Sequence, residues 1–374
     1  MQTKAQAAPA PIQVQSTQVI PDTCRASDAS APGDHYPLYD PRTKYETSVA
    51  SGLAQYVDFI GAGTLTYAKY INQHTWNGKY FNYDVTRDYS GNPAVVIFDA
   101  KGLPKVNYAP VPEANYKGGY EYNPTTLAQF ALMAHARYLD GKANQLPLFL
   151  NAVDKLISMQ DAKGGFEYPF PYHHFQNSKP YLPGWISAIS QGQALSALAR
   201  AYDVTGDAKY LNARNKALAV LLTPIAQGGS RNTLFALDPS LTNYAIFEEY
   251  PVIAPDTKSN YTVNGFMHVL IGLYDWSNVT SAGASADSAR TYFRCGLTTL
   301  KKVVPYADLN GFSAYDLGHI IYGRDPKVHP SYHETHVYML YTLYLMTKDQ
   351  WFLIWAKKWA RNIDPTYARY TPPQ

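Results

Sequence analysis

The sequence predicts a mainly α-helical protein: an incomplete (α/α) toroid, or barrel, of helical hairpins with a small β-containing extension on its N-terminal side. Apolar residues recur at three- and four-residue spacing in paired segments, as in helices that bury one face. The two clearest pairs share one pattern, Tyr-x-x-Thr-x-Asp-x-x-aromatic-Leu, at 202–211 and 344–353. Long loops separate the pairs. An irregular helical bundle is the alternative that this pattern allows.

Four hairpins account for the predicted helical domain, 116–374. They are 123–138 with 148–157, 191–202 with 209–222, 264–276 with 287–303, and 340–344 with 351–359. Their starting points lie too far apart for short solenoid repeats. We therefore expect inner helices around a shaft, with the long loops gathered at its mouth to form a cleft.

The N-terminal part differs in composition. Residues 1–35 form a predicted flexible leader, rich in Ala, Pro, Gln and Ser, and its Ala-Ala-Pro-Ala stretch resembles the residues found just after a cleaved export signal. A secreted or periplasmic protein is the expectation. Residues 36–115 form a predicted extension with a helix at 45–72 and strands within 79–109, chiefly 95–98 and 106–108 on either side of a turn.

Composition excludes several classes of protein. With 46% hydrophobic and 16% charged residues the chain is globular, and no apolar stretch reaches the roughly 20 residues of a membrane span. A net charge of +3 is too small for a nucleic-acid binder but suits a weakly anionic partner. The only two cysteines, Cys24 and Cys295, exclude a disulfide framework and leave one bridge open. A homodimer is compatible with the sequence.

Polar clusters in the predicted loops are the candidate site. No phosphate loop, dinucleotide fingerprint or His-Glu-x-x-His is present. Three segments, 247–251, 314–319 and 331–336, each place a tyrosine beside acidic or imidazole groups. Among 33 tyrosines and 6 tryptophans most should pack between helices, but aromatic faces also suit sugar rings. His333 and His336 with Glu249 could hold a metal, but ordinary hydrogen bonding is favoured for them, so no metal is expected.

These clusters suit proton transfer at a carbon beside a carboxylate. A phenol is a ready general acid, and it becomes a base once ionised, for which nearby cations or hydrogen-bond donors can lower its pKa. The substrate carboxylate opposes carbanion formation, so the site must neutralise its charge. His319, Arg324, a protonated Glu249 and tyrosine hydroxyls are the candidates. No redox cofactor is needed, and none is expected.

The same segments resemble, in order, motifs of the C-terminal domain of the D-glucuronyl C5-epimerases. The matching motifs are Tyr-x-Tyr-x-Pro at 120–124, Gly-Trp-Ile-Ser-Ala and Gln-Gly-Gln-Ala at 184–194, Glu-Glu-Tyr-Pro at 248–251, Asn-Gly-Phe at 264–266, and Tyr-His-x-Thr-His at 332–336. The resemblance implies an (α/α) toroid that modifies an anionic uronate-containing polysaccharide. It also implies catalytic roles for Tyr250, Tyr315 and Tyr332. We expect Glu249 and His336 to orient the phenols by hydrogen bonds. The residues that we expect to bind the substrate are Trp185, Gln193, Asn264, His319, Arg324 and Tyr172.

Two departures from the family pattern stand out. Animal members carry a large β domain where this chain has only 138–164. The family's Tyr-Asp-Leu-Arg-His reads Tyr-Asp-Leu-Gly-His here, so Gly318 stands where an arginine could pair with the uronate carboxylate. Three hypotheses follow: C5-epimerisation of D-glucuronate to L-iduronate in a heparosan-like polymer, a polysaccharide lyase that uses the same tyrosines, and a glycan-binding toroid without turnover.

Overall fold

The computed structural model describes residues 74–360, apart from 82, 88, 90, 91, 176, 253–256, 258 and 310. The predicted leader, the predicted helix at 45–72 and Cys24 lie outside these residues, so those predictions stay predictions, as does export. Cys295, which is described, is disulfide-bonded. None of the described helices combines the length and the apolar character that crossing a membrane requires.

The described part of the chain is α-rich, as predicted. Its helices are α1 (Tyr83–Thr86), α2 (Pro124–Leu139), α3 (Gln145–Ser158), α4 (Ala188–Thr205), α5 (Ala208–Leu222), α6 (Val263–Ser277), α7 (Ala284–Ala307), α8 (Gly318–Tyr322), α9 (Pro330–Thr347) and α10 (Gln350–Ala360). Its strands are β1 (Val96–Phe98), β2 (Pro104–Tyr108), β3 (Gly119–Glu121), β4 (Arg231–Thr233) and β5 (Ala245–Phe247). All four predicted hairpins are confirmed: α2 with α3, α4 with α5, α6 with α7, and α9 with α10.

The turn pattern shared by two hairpins makes the same hydrogen bonds in both. Thr205 and Thr347 each donate their hydroxyl to a carbonyl four residues earlier, at 2.6 and 2.7 Å. Each hydroxyl also accepts the backbone N–H of the next aspartate, Asp207 or Asp349. The aspartate carboxylate then accepts an N–H in the first turn of the return helix, at 2.8 and 3.0 Å. The repeated sequence is therefore a turn that ends one helix and caps the next.

The first helix of each hairpin packs against the first helix of the next, in the order α2, α4, α6, α9. Glycines let α4 and α6 approach most closely. A Cβ on Gly192 would lie 2.6 Å from the Cα of Val269, and one on Gly272 would lie 2.1 Å from the carbonyl oxygen of Gly192. Such distances admit no side chain, so the two backbones are in direct contact.

The predicted strands at 95–98 and 106–108 are confirmed as β1 and β2, which pair antiparallel with Val96 opposite Val106. The turn between them is held by Asp99, whose carboxylate accepts the N–H groups of Lys101 and Leu103, each at 2.8 Å. β3, which the sequence pattern did not predict, joins β2 as a third strand. A glycine pair at its start obscured the strand pattern.

The predicted strand character of 79–109 does not extend to its first part, where the chain forms the short helix α1. The chain turns inward there because Tyr80, Phe81 and Tyr83 are all buried in the main hydrophobic core. The hydroxyl of Tyr80 lies 2.9 Å from Nδ1 of His268 on α6, and the ring of Phe81 lies 5.1 Å from that of Tyr338 on α9. These contacts place the segment before β1 among the first helices of the hairpins.

A buried ion cluster fastens this segment to α4 and α6. Arg200 on α4 pairs with Asp275 on α6 at 2.7 Å, and both side chains are fully buried. The same guanidinium donates to the carbonyls of Thr75 and Gly78 at 2.6 and 2.8 Å. His74 lies 2.7 Å from the second carboxylate oxygen of Asp275. Each charge therefore has a partner, as burial requires.

Replacing Arg200 with methionine should lower the free energy of unfolding by about 3–5 kcal/mol, because Asp275 would remain buried without its cation. Denaturant unfolding followed by circular dichroism would measure the loss. Arg290→Met is the matched control, since Arg290 pairs with Asp287 at the exposed surface, and we expect it to cost about 1 kcal/mol or less. Equal effects of the two substitutions would contradict this role for Arg200.

Candidate active site

Two of the three tyrosine-bearing segments are tied to the N-terminal ends of α4 and α6. The carbonyl of Glu248, just after β5, accepts the N–H of Ala188 at the start of α4, at 3.1 Å. The carbonyl of Tyr315 accepts the N–H of Val263 at the start of α6, at 3.0 Å. The N–H of Tyr315 donates to the carbonyl of Lys327 at 2.8 Å. The backbone therefore brings 248–250 and 315 to the same end of these neighbouring helices.

The prediction that 331–336 is a loop is wrong, because α9 begins at Pro330. Proline suits the first helical position, and the side chain of His329 accepts the N–H of Ser331 as the cap. Tyr332 therefore lies on the first turn of a helix. Gly318 and His319, also predicted in a loop, begin the short helix α8.

A carboxyl group and a cluster of phenols form the centre of the site. The hydroxyl of Tyr315 points to Oε1 of Glu249 at 3.5 Å, at the long limit of a hydrogen bond. The rings of Tyr315 and Tyr332 lie 4.5 Å apart between centroids. Tyr315 and Glu249 are buried, whereas Tyr250 and Tyr332 are half-buried. Two phenols thus remain accessible beside a buried phenol and carboxyl.

Glu249 fits closely against the first turn of α6. A Cβ on Gly265 would lie 2.3 Å from Oε2 of Glu249, so a side chain larger than hydrogen there would displace the carboxyl. Within the described residues, Oε2 of Glu249 and Oδ1 of Asn264 are buried and accept no hydrogen bond. Unsatisfied buried acceptors are costly, so a ligand that donates hydrogen bonds to them would be stabilised there.

Stacked aromatic rings form a wall beside this centre. The ring of Tyr172 stacks on those of Tyr250 and Trp185, with centroids 5.6 and 5.7 Å apart, and Tyr168 stacks on Trp185 at 4.0 Å. Backbone bridges from Tyr168 to Trp185 and from Tyr172 to Tyr181 hold the wall together. Tyr172 and Trp185, both predicted to bind substrate, are therefore brought to Tyr250.

Burial raises the pKa values of the Glu249 carboxyl and of the three phenols of the site. Desolvation raises the pKa of Glu249 to about 7, although hydrogen bonding with Tyr250 and Tyr315 opposes the rise. Desolvation and the neighbouring Glu249 charge hold the pKa values of Tyr250 and Tyr315 well above 10, and they raise that of Tyr332 as well. The expectation that neighbours lower a phenol pKa is not met. The phenols are neutral, and Glu249 is the group that titrates near neutrality.

Two residues of the predicted site lie deeper in the structure. The side-chain nitrogen of Gln193 lies 3.3 Å from Nδ1 of His268, among the contacts of the segment before β1. His336 is fully buried, with Nδ1 2.7 Å from the hydroxyl of Ser313 and its ring against Trp359. Burial lowers the pKa of His336 well below 6.5, so it is neutral. Their described contacts are thus with the interior and not with the three phenols.

His319 and Arg324, the other predicted neutralisers, are engaged by the loop that follows Tyr315. His319 is buried, with Nδ1 3.2 Å from the carbonyl of Asp316, and burial lowers its pKa to about 4. It therefore carries no charge at neutral pH. Arg324 forms an ion pair with the buried carboxylate of Asp316.

Of the two histidines considered for a metal, His333 has both ring nitrogens engaged in hydrogen bonds, whereas within the described residues His336 engages only Nδ1. His333 uses Nδ1 toward the N–H of Ser313 at 3.0 Å and Nε2 toward the carbonyl of Trp359 at 3.0 Å. Across the part of the chain that the structure describes, no three His, Cys, Asp or Glu side chains are grouped as metal ligands.

Sequence reasoning missed Lys327. Its ammonium lies 4.9 Å from the ring centroid of Tyr315 and 3.9 Å from that of Phe175. Nothing in its spacing marks it, because it lies 12 residues beyond Tyr315, in the loop before α9. Its proximity to Tyr315 follows from the folded backbone, in which the N–H of Tyr315 donates to the carbonyl of Lys327.

Residues 160–361 match the family described as "D-glucuronyl C5-epimerase C-terminus". This match spans more than half of the chain. The chain belongs to this family. It is 31% identical over 220 residues to the D-glucuronyl C5-epimerase of Caenorhabditis elegans. This match covers 56% of this chain and 34% of that protein. It is also 31% identical over 228 residues to an uncharacterised protein of Methanocaldococcus jannaschii, covering 60% of this chain and 67% of that protein.

Membership of the C5-epimerase family confirms the resemblance drawn from the motifs. The chain spans only about a third of the length of the Caenorhabditis elegans epimerase. At the family's arginine position, the backbone N–H of Gly318 donates to the carboxylate of Asp316 at 3.0 Å. No side chain from that position reaches the site.

The adjacent carboxyl groups of Glu248 and Glu249 should both titrate near neutrality, and their titrations should be assignable by mutation. Burial raises the pKa of Glu248 to about 7 as well, but its carboxyl is held by Asn232 and Ser259 and not by the phenols. With ¹³C-labelled glutamate, NMR should show two carboxyl signals that titrate near pH 7. Glu249→Gln should remove one and Glu248→Gln the other. Midpoints near 4.5 for both would contradict their burial.

Proposed function

We propose that this chain epimerises D-glucuronate residues to L-iduronate at C5 within a heparosan-like polymer, by tyrosine-mediated proton abstraction and return. The observation that carries the proposal is the phenol cluster around Glu249, in a chain of the C5-epimerase family. The carboxyl has a pKa of about 7 and lies beside phenols that stay neutral. Such a carboxyl can take up and return one proton at physiological pH.

In this proposal Tyr250 and Tyr332 act on opposite faces of the sugar ring. Tyr250 accepts the C5 proton while its own hydroxyl proton passes to the Glu249 carboxylate, so no free tyrosinate has to form first. Tyr332 then donates its proton to the other face of C5. The proton on Glu249 returns to Tyr332 through Tyr315, which lies between them, 3.5 Å from the carboxyl and ring to ring with Tyr332.

Only the complete cycle leaves the site with the protons that it started with. One proton leaves C5, another is returned, and the protein carries the difference on Glu249 only during the lifetime of the carbanion. Reversal follows the same steps, because phenols are present on both sides. The reaction is therefore a reversible isomerisation without net consumption of a co-reactant.

The surroundings supply the sugar-binding surface that the proposal needs. The wall of Tyr172, Tyr250 and Trp185 offers apolar ring faces, and the buried acceptors of Glu249 and Asn264 that lack a hydrogen bond suit hydroxyl groups. The row of first helices, α2, α4, α6 and α9, supports the further proposal that the hairpins close into an incomplete toroid with this site at its mouth.

Incubation with heparosan, glucuronan and alginate in deuterated water would test the function. We expect deuterium at C5 of glucuronate, with iduronate formed and the chains intact. Ultraviolet absorbance from an unsaturated product would instead indicate the lyase. Binding without exchange or cleavage, unchanged by Tyr250→Phe, Tyr315→Phe and Tyr332→Phe, would indicate a glycan-binding module.

The rate of exchange should rise with pH through about 7. Below that pH Glu249 is protonated and cannot accept the proton from Tyr250, whereas above it the carboxylate is available, so kcat/KM should follow its ionisation. Glu249→Gln should lower exchange about 100-fold or more. Glu248→Gln is the matched control and should keep both the activity and the pH dependence. If only the Glu248 variant lost the pH dependence, Glu248 and not Glu249 would be the carboxylate that accepts the proton.

A further inference from the structure

Two cations, Arg324 and Lys327, lie over the ring of Phe175, and Lys327 also lies over that of Tyr315. Phe175 is 48% exposed, and its centroid lies 4.9 Å from the guanidinium carbon of Arg324 and 3.9 Å from the ammonium of Lys327. Lys327 is itself exposed and Arg324 is half-buried, so a polymer arriving from solution can reach both cations.

Within the described residues, only one of these cations forms an ion pair with a carboxylate. Arg324 pairs with Asp316 and donates a second hydrogen bond to the carbonyl of Asp325 at 3.0 Å. Asp316 is also held by the side chain of Asn260 at 3.3 Å. Arg324 and Asp316 therefore form a neutral pair that is fixed in place by its neighbours.

Lys327 forms no ion pair among the described residues, although the charges of Asp316 and Glu249 favour its protonated form. Its ammonium contacts the faces of Phe175 and Tyr315 and forms no ion pair there. The backbone N–H of Tyr315 donates to the carbonyl of Lys327, and this hydrogen bond fixes the backbone of Lys327 beside Tyr315. A positive charge without an ion-pair partner thus lies over a phenol of the proposed proton relay. An anion is the ligand that complements it.

We infer that Lys327 binds the carboxylate of the uronate residue whose C5 is attacked, and so selects uronates over neutral sugars. This inference rests on the proposed function. The carboxylate carbon is bonded directly to C5, so an ammonium that holds the carboxylate beside Tyr315 also holds C5 among the phenols. When C5 loses its proton, negative charge spreads onto that carboxylate, and the ammonium stabilises it there.

The position of Lys327 explains how the site can be charged although Gly318 offers no side chain. The cation comes from the loop before α9 instead of from the start of α8. A lysine gives a single point charge, unlike the two-pronged contact of an arginine, so it demands less of the carboxylate's orientation. That tolerance suits a site in which the carboxylate must be held while the ring inverts at C5.

Binding and turnover of Lys327→Met would test the inference. We expect its KM for heparosan to rise at least tenfold and its kcat to fall, while Lys327→Arg keeps most of the activity because it keeps the charge. Lys302→Met is the matched control. Lys302 also lies over a tyrosine ring, at 5.4 Å from the centroid of Tyr244, but on α7. Its replacement should leave KM and kcat unchanged.

A binding comparison separates this inference from the proposed function. The parent protein should bind heparosan more tightly than heparosan whose carboxyl groups have been reduced to alcohols, and Lys327→Met should lose that preference. Unfolding midpoints equal to the parent's would show that the variant is folded. If the parent shows no C5 exchange, the proposed function fails, but the carboxyl preference still decides the role of Lys327. A parent without that preference, or a variant that retains it, would overturn the inference.

Discussion

The direct contact between the backbones of α4 and α6 is the constraint on which the rest of the site depends. Gly192 and Gly272 leave no room for a side chain between the helices, so their axes are fixed relative to each other. Both helices begin at the same end, where their first N–H groups bind the carbonyls of Glu248 and Tyr315. The distance between the segments that carry the carboxyl and the phenol is therefore set by helix packing and not by the loops.

Burial sets the chemistry of this site in the same way that packing sets its geometry. Desolvation destabilises every negative charge, so the phenols stay protonated and Glu249 becomes the group that ionises near neutrality. A site that kept a free tyrosinate would have to stabilise it permanently. In the proposed cycle, a buried carboxyl that exchanges its proton with neutral phenols avoids that cost.

The extent to which sequence predicted this structure depends on how local each feature is. The hairpins were predicted because their periodicity and their Thr-x-Asp turns lie within a few residues. The grouping of Tyr250, Tyr315 and Tyr332 came from the order of the family motifs. The inward course of Tyr80 and Tyr83 could not be predicted, since their partners lie on α6 and α9. The place of Lys327 in the site could not be predicted either, because a backbone hydrogen bond across the fold brings it to Tyr315. The rise of the phenol pKa values could not be predicted because it depends on burial.

The segment before β1 also bears on how the chain folds. His74 and Asp275 are separated by 201 residues, and Thr75 and Arg200 by 125, whereas each helical hairpin joins neighbours in sequence. Local contacts form early, and contacts across such long loops carry a larger entropic barrier. We therefore expect the hairpins to assemble first and the buried ion cluster to close last. Until it closes, the charges of Arg200 and Asp275 are open to water, and the partly folded chain keeps a hydrated interior.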